Sequence, residues 1–179
     1  MIALATSRLV LRPWAPSDLA PFAALCADPE VMRYIGDGST RSPGEVQAAI
    51  VRDRQCWSRH GWGLLAIEHL DTQEFIGFCG LAEPDFLPPL RPSVEIGWRL
   101  ARDYWGQGFG TEAAAAVVDW AFTFADLERV MAVVQLDNLA SHRVVEKLGM
   151  RREQRTIVPG HGVWVDVYAL EADGWLGAR

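Results

Sequence analysis

A mixed α/β (α+β) domain with a largely antiparallel sheet of about seven strands flanked by helices is the fold class this sequence predicts, on three observations. Two apolar stretches over 62–70 and 75–81 lie on either side of a short turn, which makes a hairpin. Other stretches carry apolar residues at helical spacing, such as Ala113, Val117, Trp120, Ala121 and Phe124. Between these types lies an apolar strand, a glycine-rich turn and a helix start over 93–112. The length of 179 residues, half of them apolar and 22% charged, suits one domain over 1–179 and leaves out disordered, collagen-like and disulfide-scaffold classes.

The elements follow in order. Leu9, Leu11 and Pro13 alternate with Arg8, Val10 and Arg12, which makes 8–14 an opening strand. Ser17 and Asp18 start a helix with Leu19, Phe22, Ala23 and Leu25 on its apolar side, and 28–35 is a second short helix. After the break at Gly36-Asp37-Gly38, Ser42 and Pro43 open a helix that runs to about Arg59 with Val46, Ile50 and Trp57 along one side. The hairpin strands come next, joined by a turn over 71–74. The 84–92 segment holds prolines at 84, 88, 89 and 92 and is a surface loop. A strand over 93–100 leads to the glycine turn and a helix over about 108–125. A strongly apolar strand over 129–135, a helix opened by Asn138 and closed by Gly149, and strands near 151–158 and 163–169 complete the chain.

Composition narrows function. The net charge is −6, so a basic field suited to nucleic acid is missing. The charge is uneven: −7 over 1–128, +3 over 129–155 and −2 over 156–179, with Lys147 the sole lysine beside 16 arginines. Cys26, Cys56 and Cys79 are too few and too scattered for a disulfide framework, and His60, His69, His142 and His161 have no metal-ligand spacing, so no metal site is expected. No secretory leader or membrane-spanning run is visible, which makes the cytoplasm the expected address.

The most informative run is VEIGWRL at 94–100 followed by WGQGFGTE at 105–112. A strand, a turn with glycines at 106, 108 and 110 and a helix N-terminus make an anion site, because turn amides converge and the helix dipole adds partial positive charge. No lysine follows the glycines as a P-loop requires, and their spacing is not that of a dinucleotide fingerprint. On the glycines alone, an ordinary tight turn remains open.

The segment resembles the acyl-CoA pyrophosphate loop of the GNAT N-acetyltransferase superfamily, whose pattern is Gln or Arg, two residues, Gly, one residue, then Gly or Ala. EIGW at 95–98 with YWGQGFGTEA at 104–113 is similar to the ribosomal-protein N-terminal (alanine) acetyltransferase branch. Two more blocks agree in order: NLASHRVVEKLGM at 138–150 resembles that branch's N-x-x-S-x-x-x-x-x-K-x-G-F, and TSRLVLRP at 6–13 resembles its first strand. The resemblance spans nearly the whole chain and implies the GNAT fold.

It also implies direct attack of a primary amine, on a protein N-terminus or a small molecule, on the thioester of acetyl-CoA. The backbone of Trp98, Arg99 and Leu100 would pair with the pantetheine arm. The amides of Trp105, Gly106, Gln107, Gly108, Phe109, Gly110 and Thr111 would hold the pyrophosphate, and Asn138, Ser141 and Arg143 would lie along the cofactor's other side. Two departures stand out: Trp105 fills the Gln or Arg position, and Val145 fills the place where many relatives carry a tyrosine that protonates the leaving thiolate.

An ammonium has no lone pair, so a base must take its proton. Glu95, an acid in an otherwise apolar strand, is the candidate, since desolvation raises a carboxyl's pKa. Ser141 is the candidate acid or cofactor ligand in place of the tyrosine. Glu83 and Asp85 on the proline loop are placed to meet the acceptor, and Trp57 and Trp62 are expected to flank its cleft. Transfer of another acyl group such as succinyl, with Arg99 or Arg33 as the added cation, and a non-catalytic acyl-CoA-binding module are the alternatives. A homodimer is compatible with the sequence. The acidic remainder suits a cationic amine, and the basic 129–155 stretch suits an anionic cofactor.

Overall fold

The computed structural model describes residues 2–90 and 92–177. Its centre is one eight-stranded sheet in the order β1-β2-β3-β4-β5-β6-β8-β7. The strands are β1 (Leu4–Ala5), β2 (Leu9–Arg12), β3 (Leu64–His69), β4 (Phe75–Ala82), β5 (Glu95–Leu100), β6 (Arg129–Gln135), β7 (Arg151–Val158) and β8 (Val163–Glu171). The helices are α1 (Leu19–Ala27), α2 (Pro29–Met32), α3 (Pro43–His60), α4 (Phe109–Thr123), α5 (Leu139–Lys147) and α6 (Ala172–Leu176).

The mixed class and its antiparallel bias agree with the sequence. The strand total exceeds the expected seven because Leu4–Ala5 pairs with β2, a two-residue strand too short to show alternation. The expected helix over 28–35 stops at Met32, and the chain turns through Gly36 and Gly38, both at positive φ. The last strand continues to Glu171 and a short helix, α6, follows it, where Gly174 obscures any helical periodicity.

Local chemistry explains the long helix on the site's flank. Ser42 and Glu45 form a reciprocal capping box at the start of α3, Pro43 needs no amide partner there, and Gly61 in the left-handed region ends it. On the opposite side of the sheet, α4 buries Ala113, Ala114, Val117, Val118, Trp120 and Ala121, and its alanines let it lie close to β4 and β5.

The sheet therefore has two sides. Under α4 lies the larger core, which takes Leu9, Leu11, Leu65, Ile67, Leu81, Ile96 and Leu100. Under α1, α2 and α3 lies a second core, with Trp14, Phe22, Leu25, Cys26, Met32, Ala66 and Phe78. Trp57 and Trp62 belong with the larger core: Trp57 packs on Trp120 at 5.8 Å and donates its indole N–H to the Leu64 carbonyl, and Trp62 is buried. The expectation that they flank an acceptor cleft is thus corrected. Large aromatic area is what each supplies.

One joint in the sheet is weak. The parallel strands β5 and β6 are paired only at Glu95 and Met131, with the Met131 amide donating to the Val94 carbonyl. Beyond that bridge β6 pairs along its length with β8, while β5 pairs with β4. The strands part towards their C-terminal ends, which leaves backbone groups of β5 and β6 facing an opening rather than each other.

Candidate active site

The glycine turn closes β5 and opens α4. Gly106 and Gly108 sit at φ +72° and +86°, and Gly108 is the N-cap residue of α4. Only glycine takes these angles without strain, and a Cβ at Gly106 would project into open space. Among the described residues, none of the amide N–H groups from Gly106 to Thr111 donates to another backbone carbonyl, and the first turn's amides have no partner inside a helix. They remain free to bind an anion, and the α4 dipole favours one, whereas the Trp105 amide, expected in the same set, is already taken by the Arg102 carbonyl at 3.0 Å.

The turn is braced from the side. Arg8 donates to the Gln107 carbonyl at 3.0 Å and to Glu112 at 2.7 Å, and it stacks over Phe109 at 4.3 Å. Glu112 also accepts from Thr6 at 2.6 Å and from the Arg8 amide at 3.0 Å. The exposed Trp105, where a Gln or Arg was expected, donates its indole N–H to the Leu100 carbonyl at 2.8 Å. Its side chain ties the turn back to β5, which means that the Leu100 carbonyl is already engaged.

Beside the β5–β6 opening lies a cavity of about 790 Å³. It brings together Glu95, Trp98, Arg99, Asn138 and Ser141 from the expected set. The turn over 105–111, Leu100 and Arg143 do not line it: Leu100 is buried beneath α4, and Arg143 is exposed on α5. Glu83 and Asp85 reach the cavity from the proline loop, and Glu83 lies 3.8 Å from His60. A bond from Gln135 to the Gly36 carbonyl, 3.1 Å long, spans from the end of β6 to the segment after α2.

Strand alternation divides the side chains of β5 between the two faces of the sheet, and Ile96 and Trp98 of the α4 face border the cavity as well. Glu95, Gly97 and Arg99 share the face towards α1 and α2, and Ile96 and Leu100 share the other. The Glu95 carboxylate has no hydrogen-bond or ion-pair partner among the described residues, and burial alone pushes it up to about 8. On α5, Asn138 accepts from the Ser141 amide at 3.1 Å, which caps the helix, and both residues line the cavity. Val145, in the position of the relatives' tyrosine, is wholly buried in the larger core. His142 turns away to Tyr168 at 2.8 Å.

Sequence reasoning missed Asp53 and Tyr34, which also line the cavity. Asp53 accepts from the Leu64 amide at 2.6 Å, its other oxygen is buried and unpartnered, and burial pushes it up to about 6. The signal was available: Asp53 falls on the same stripe of α3 as Val46, Ile50 and Trp57. Tyr34 follows α2 in a turn, where no periodicity marks it.

The basic stretch over 129–155 also reads differently in three dimensions. Arg129 pairs with Glu153 and Glu171, and Arg152 and Arg155 pair with Asp166. Most of its excess charge is neutralised on the β7–β8 side of the sheet.

These features are those of an acyl-CoA-dependent transferase, and residues 8–151 match the family model described as Acetyltransferase (GNAT) domain. The chain belongs to the GNAT acetyltransferase family and is an acetyl-CoA-dependent N-acetyltransferase. It is 31% identical over 150 residues to an uncharacterized N-acetyltransferase, YoaA, of Bacillus subtilis strain 168, covering 84% of this chain and 83% of that one. An acetyltransferase structure from Agrobacterium tumefaciens strain C58 superposes with a TM-score of 0.81 at 28% identity, over 96% of this chain and 95% of that chain. A ribosomal L7/L12 α-N-protein acetyltransferase, RimL, solved with coenzyme A, shares the fold with a TM-score of 0.80 at 18% identity, over 97% and 99% of the two chains. Among the described residues no helix is long and apolar enough to cross a membrane, and no cluster of three or more His, Cys, Asp or Glu could hold a metal.

Proposed function

We propose that the chain acetylates a primary amine by direct attack in a ternary complex, with Glu95 as the base. The observation that carries this reading is the Glu95 carboxylate, unpartnered and facing a cavity at the single bridge where β5 and β6 part. A carboxylate near 8 takes a proton from an ammonium far better than one near ~4.3, because its affinity for the proton is closer to the amine's.

The free amides of the turn over 106–111 receive the pyrophosphate of acetyl-CoA, and the parted edge of β5 at Trp98 and Arg99 offers the pantetheine arm a strand to pair with. Asn138, Ser141 and Arg143 border the same molecule from α5. The amine enters from the α1–α3 side and gives its proton to Glu95. Its nitrogen then bonds to the thioester carbonyl carbon, the tetrahedral oxyanion collapses, the C–S bond breaks, and the second proton that the nitrogen sheds passes through the Ser141 hydroxyl to the departing sulfur. A thiol has a reference pKa of ~8.5, so its thiolate is a tolerable leaving group with only a weak donor nearby. Ser141 is that donor, and the buried Val145 explains why no tyrosine takes the role. Glu83 and Asp85 add negative potential for a cationic amine at the cavity wall.

The test is release of free CoA from acetyl-CoA against a panel of amines: N-terminal peptides, amino acids, polyamines and aminoglycosides. The expected result is turnover that needs an amine and saturates with it. Tight binding of acetyl-CoA with no turnover on any amine would leave only an acyl-CoA-binding module.

A further inference from the structure

Arg99 is a cation without an anion. Its guanidinium lies against the Cys26 sulfur at 3.5 Å, the Met32 sulfur at 3.3 Å and the Phe78 ring at 5.1 Å. Its Nε is buried and unpartnered. Sulfur accepts hydrogen bonds weakly, so these contacts do not replace a carboxylate. A buried charge is costly unless an opposite charge and full hydrogen bonding compensate it. Burial brings Arg99 down to about 10, with Arg41 nearby pushing the same way, and the group still carries its proton at neutral pH.

Arg41 lines the same cavity, and two neighbouring cations repel until an anion joins them. No described carboxylate stands within ion-pair distance of either arginine. Glu45, which Arg41 influences, is bound into the Ser42 cap, Asp53 is held by the Leu64 amide, and Glu83 is beside His60.

The position of Arg99 relative to Glu95 gives the missing anion a place in a ligand. Both face the cavity from one strand, four residues apart, a Cα separation on the order of 13 Å. Between them Gly97 has no side chain, and a Cβ built there would meet no atom within 4 Å. The face therefore reads carboxylate, bare floor, guanidinium.

We propose that the acceptor is an amine that also carries a carboxylate several bonds away, with its nitrogen at Glu95, its chain over Gly97 and its carboxylate on Arg99 and Arg41. The amine half rests on the function proposed above, and the anion half rests on the unpaired arginines alone. An acyl carboxylate is a poorer fit: in a succinyl group it lies three bonds from the thioester carbon, which must itself reach the amine beside Glu95, whereas Arg99 is four residues further along the strand.

Calorimetry on the CoA-loaded protein, comparing 6-aminohexanoate with hexylamine, tests the anion half without turnover. The expected result is at least tenfold tighter binding of 6-aminohexanoate, a ratio that collapses towards one in Arg99→Met and is partly kept in Arg99→Lys. Loss of an unpaired, half-buried cation should leave the Met variant folded; if it does not, a ratio in Arg99→Lys lower than the wild type's supports the proposal and an unchanged ratio there overturns it. Equal binding of the two ligands by the wild type overturns the proposal. So does an Arg99→Met variant that keeps the ratio and instead changes discrimination between acetyl-CoA and succinyl-CoA. A preserved preference without turnover on any amine would keep the anion site and remove the transferase reading. Equal turnover of both ligands would do the reverse.

Discussion

The two faces of β5 are built from alternate residues of one hexapeptide and follow opposite rules. On the α4 side, Ile96 and Leu100 are buried apolar side chains in a continuous core. On the α1 side, Glu95 and Arg99 are half-buried ionisable groups at the cavity with no partner of opposite charge among the described residues, and Gly97 leaves space between them. The first face supplies stability and a rigid backbone. In the proposed mechanism the second carries the electrostatic cost of chemistry, which the first face makes tolerable.

Substitutions can separate the two. The largest effect is expected for Glu95→Gln, which should lower kcat more than tenfold, with ~10²- to 10⁴-fold typical of a removed general base, and leave acetyl-CoA binding intact. Steady-state CoA release at saturating acceptor measures it, and unchanged turnover would take Glu95 out of the mechanism. One residue along and on the other face, Ile96→Ala should cost about 2–5 kcal/mol of stability, read by denaturant unfolding, with far less change in kcat of the folded fraction. If Ile96→Ala acted chiefly on kcat, the division of labour between faces would fail.

A smaller effect is expected at the turn. Gly106→Ala must hold φ near +72°, a strain of about 1–2 kcal/mol for a side chain with a Cβ. The Michaelis constant for acetyl-CoA should rise several-fold while kcat with saturating cofactor holds. An unchanged value would mean that this turn does not contact the cofactor.

Glu95 also makes stability depend on pH. Unfolded, the Glu95 carboxyl ionises near ~4.3; folded, it keeps its proton up to about 8. Between those values the unfolded state binds fewer protons, so stability falls as pH rises through the window. The Tm of the wild type relative to Glu95→Gln should therefore decline from pH 5 to pH 9. A constant difference would place Glu95 in ordinary solvent.

The fold was largely legible because periodicity and caps are local. The strand alternation, the Ser42-Pro43 start, the glycine turn and Asn138 all stand where the sequence puts them. The place of Glu95 at the cavity was legible for a related reason, an acid in an otherwise apolar strand standing out. Arg99 was not, since its lack of a partner depends on α1 and α2 folding over β4 and β5 with sulfur atoms where a carboxylate would have neutralised it. Trp57 and Trp62 were misplaced because area says that an aromatic is buried but not beneath which helix. The basic stretch misled as well: a linear count of charge cannot see Arg129, Arg152 and Arg155 claimed by acids from neighbouring strands. Asp53 was hidden in plain view on an apolar stripe.

The pH profile of kcat/KM for one accepted amine, in the wild type and in Glu95→Gln, tests the central claim most directly. The wild-type rate should rise with pH through a group near 8 as Glu95 loses its proton, and that limb should vanish in the variant, leaving only the acceptor's own ionisation. A limb near 8 that survives in Glu95→Gln would contradict the account and assign the proton to another group.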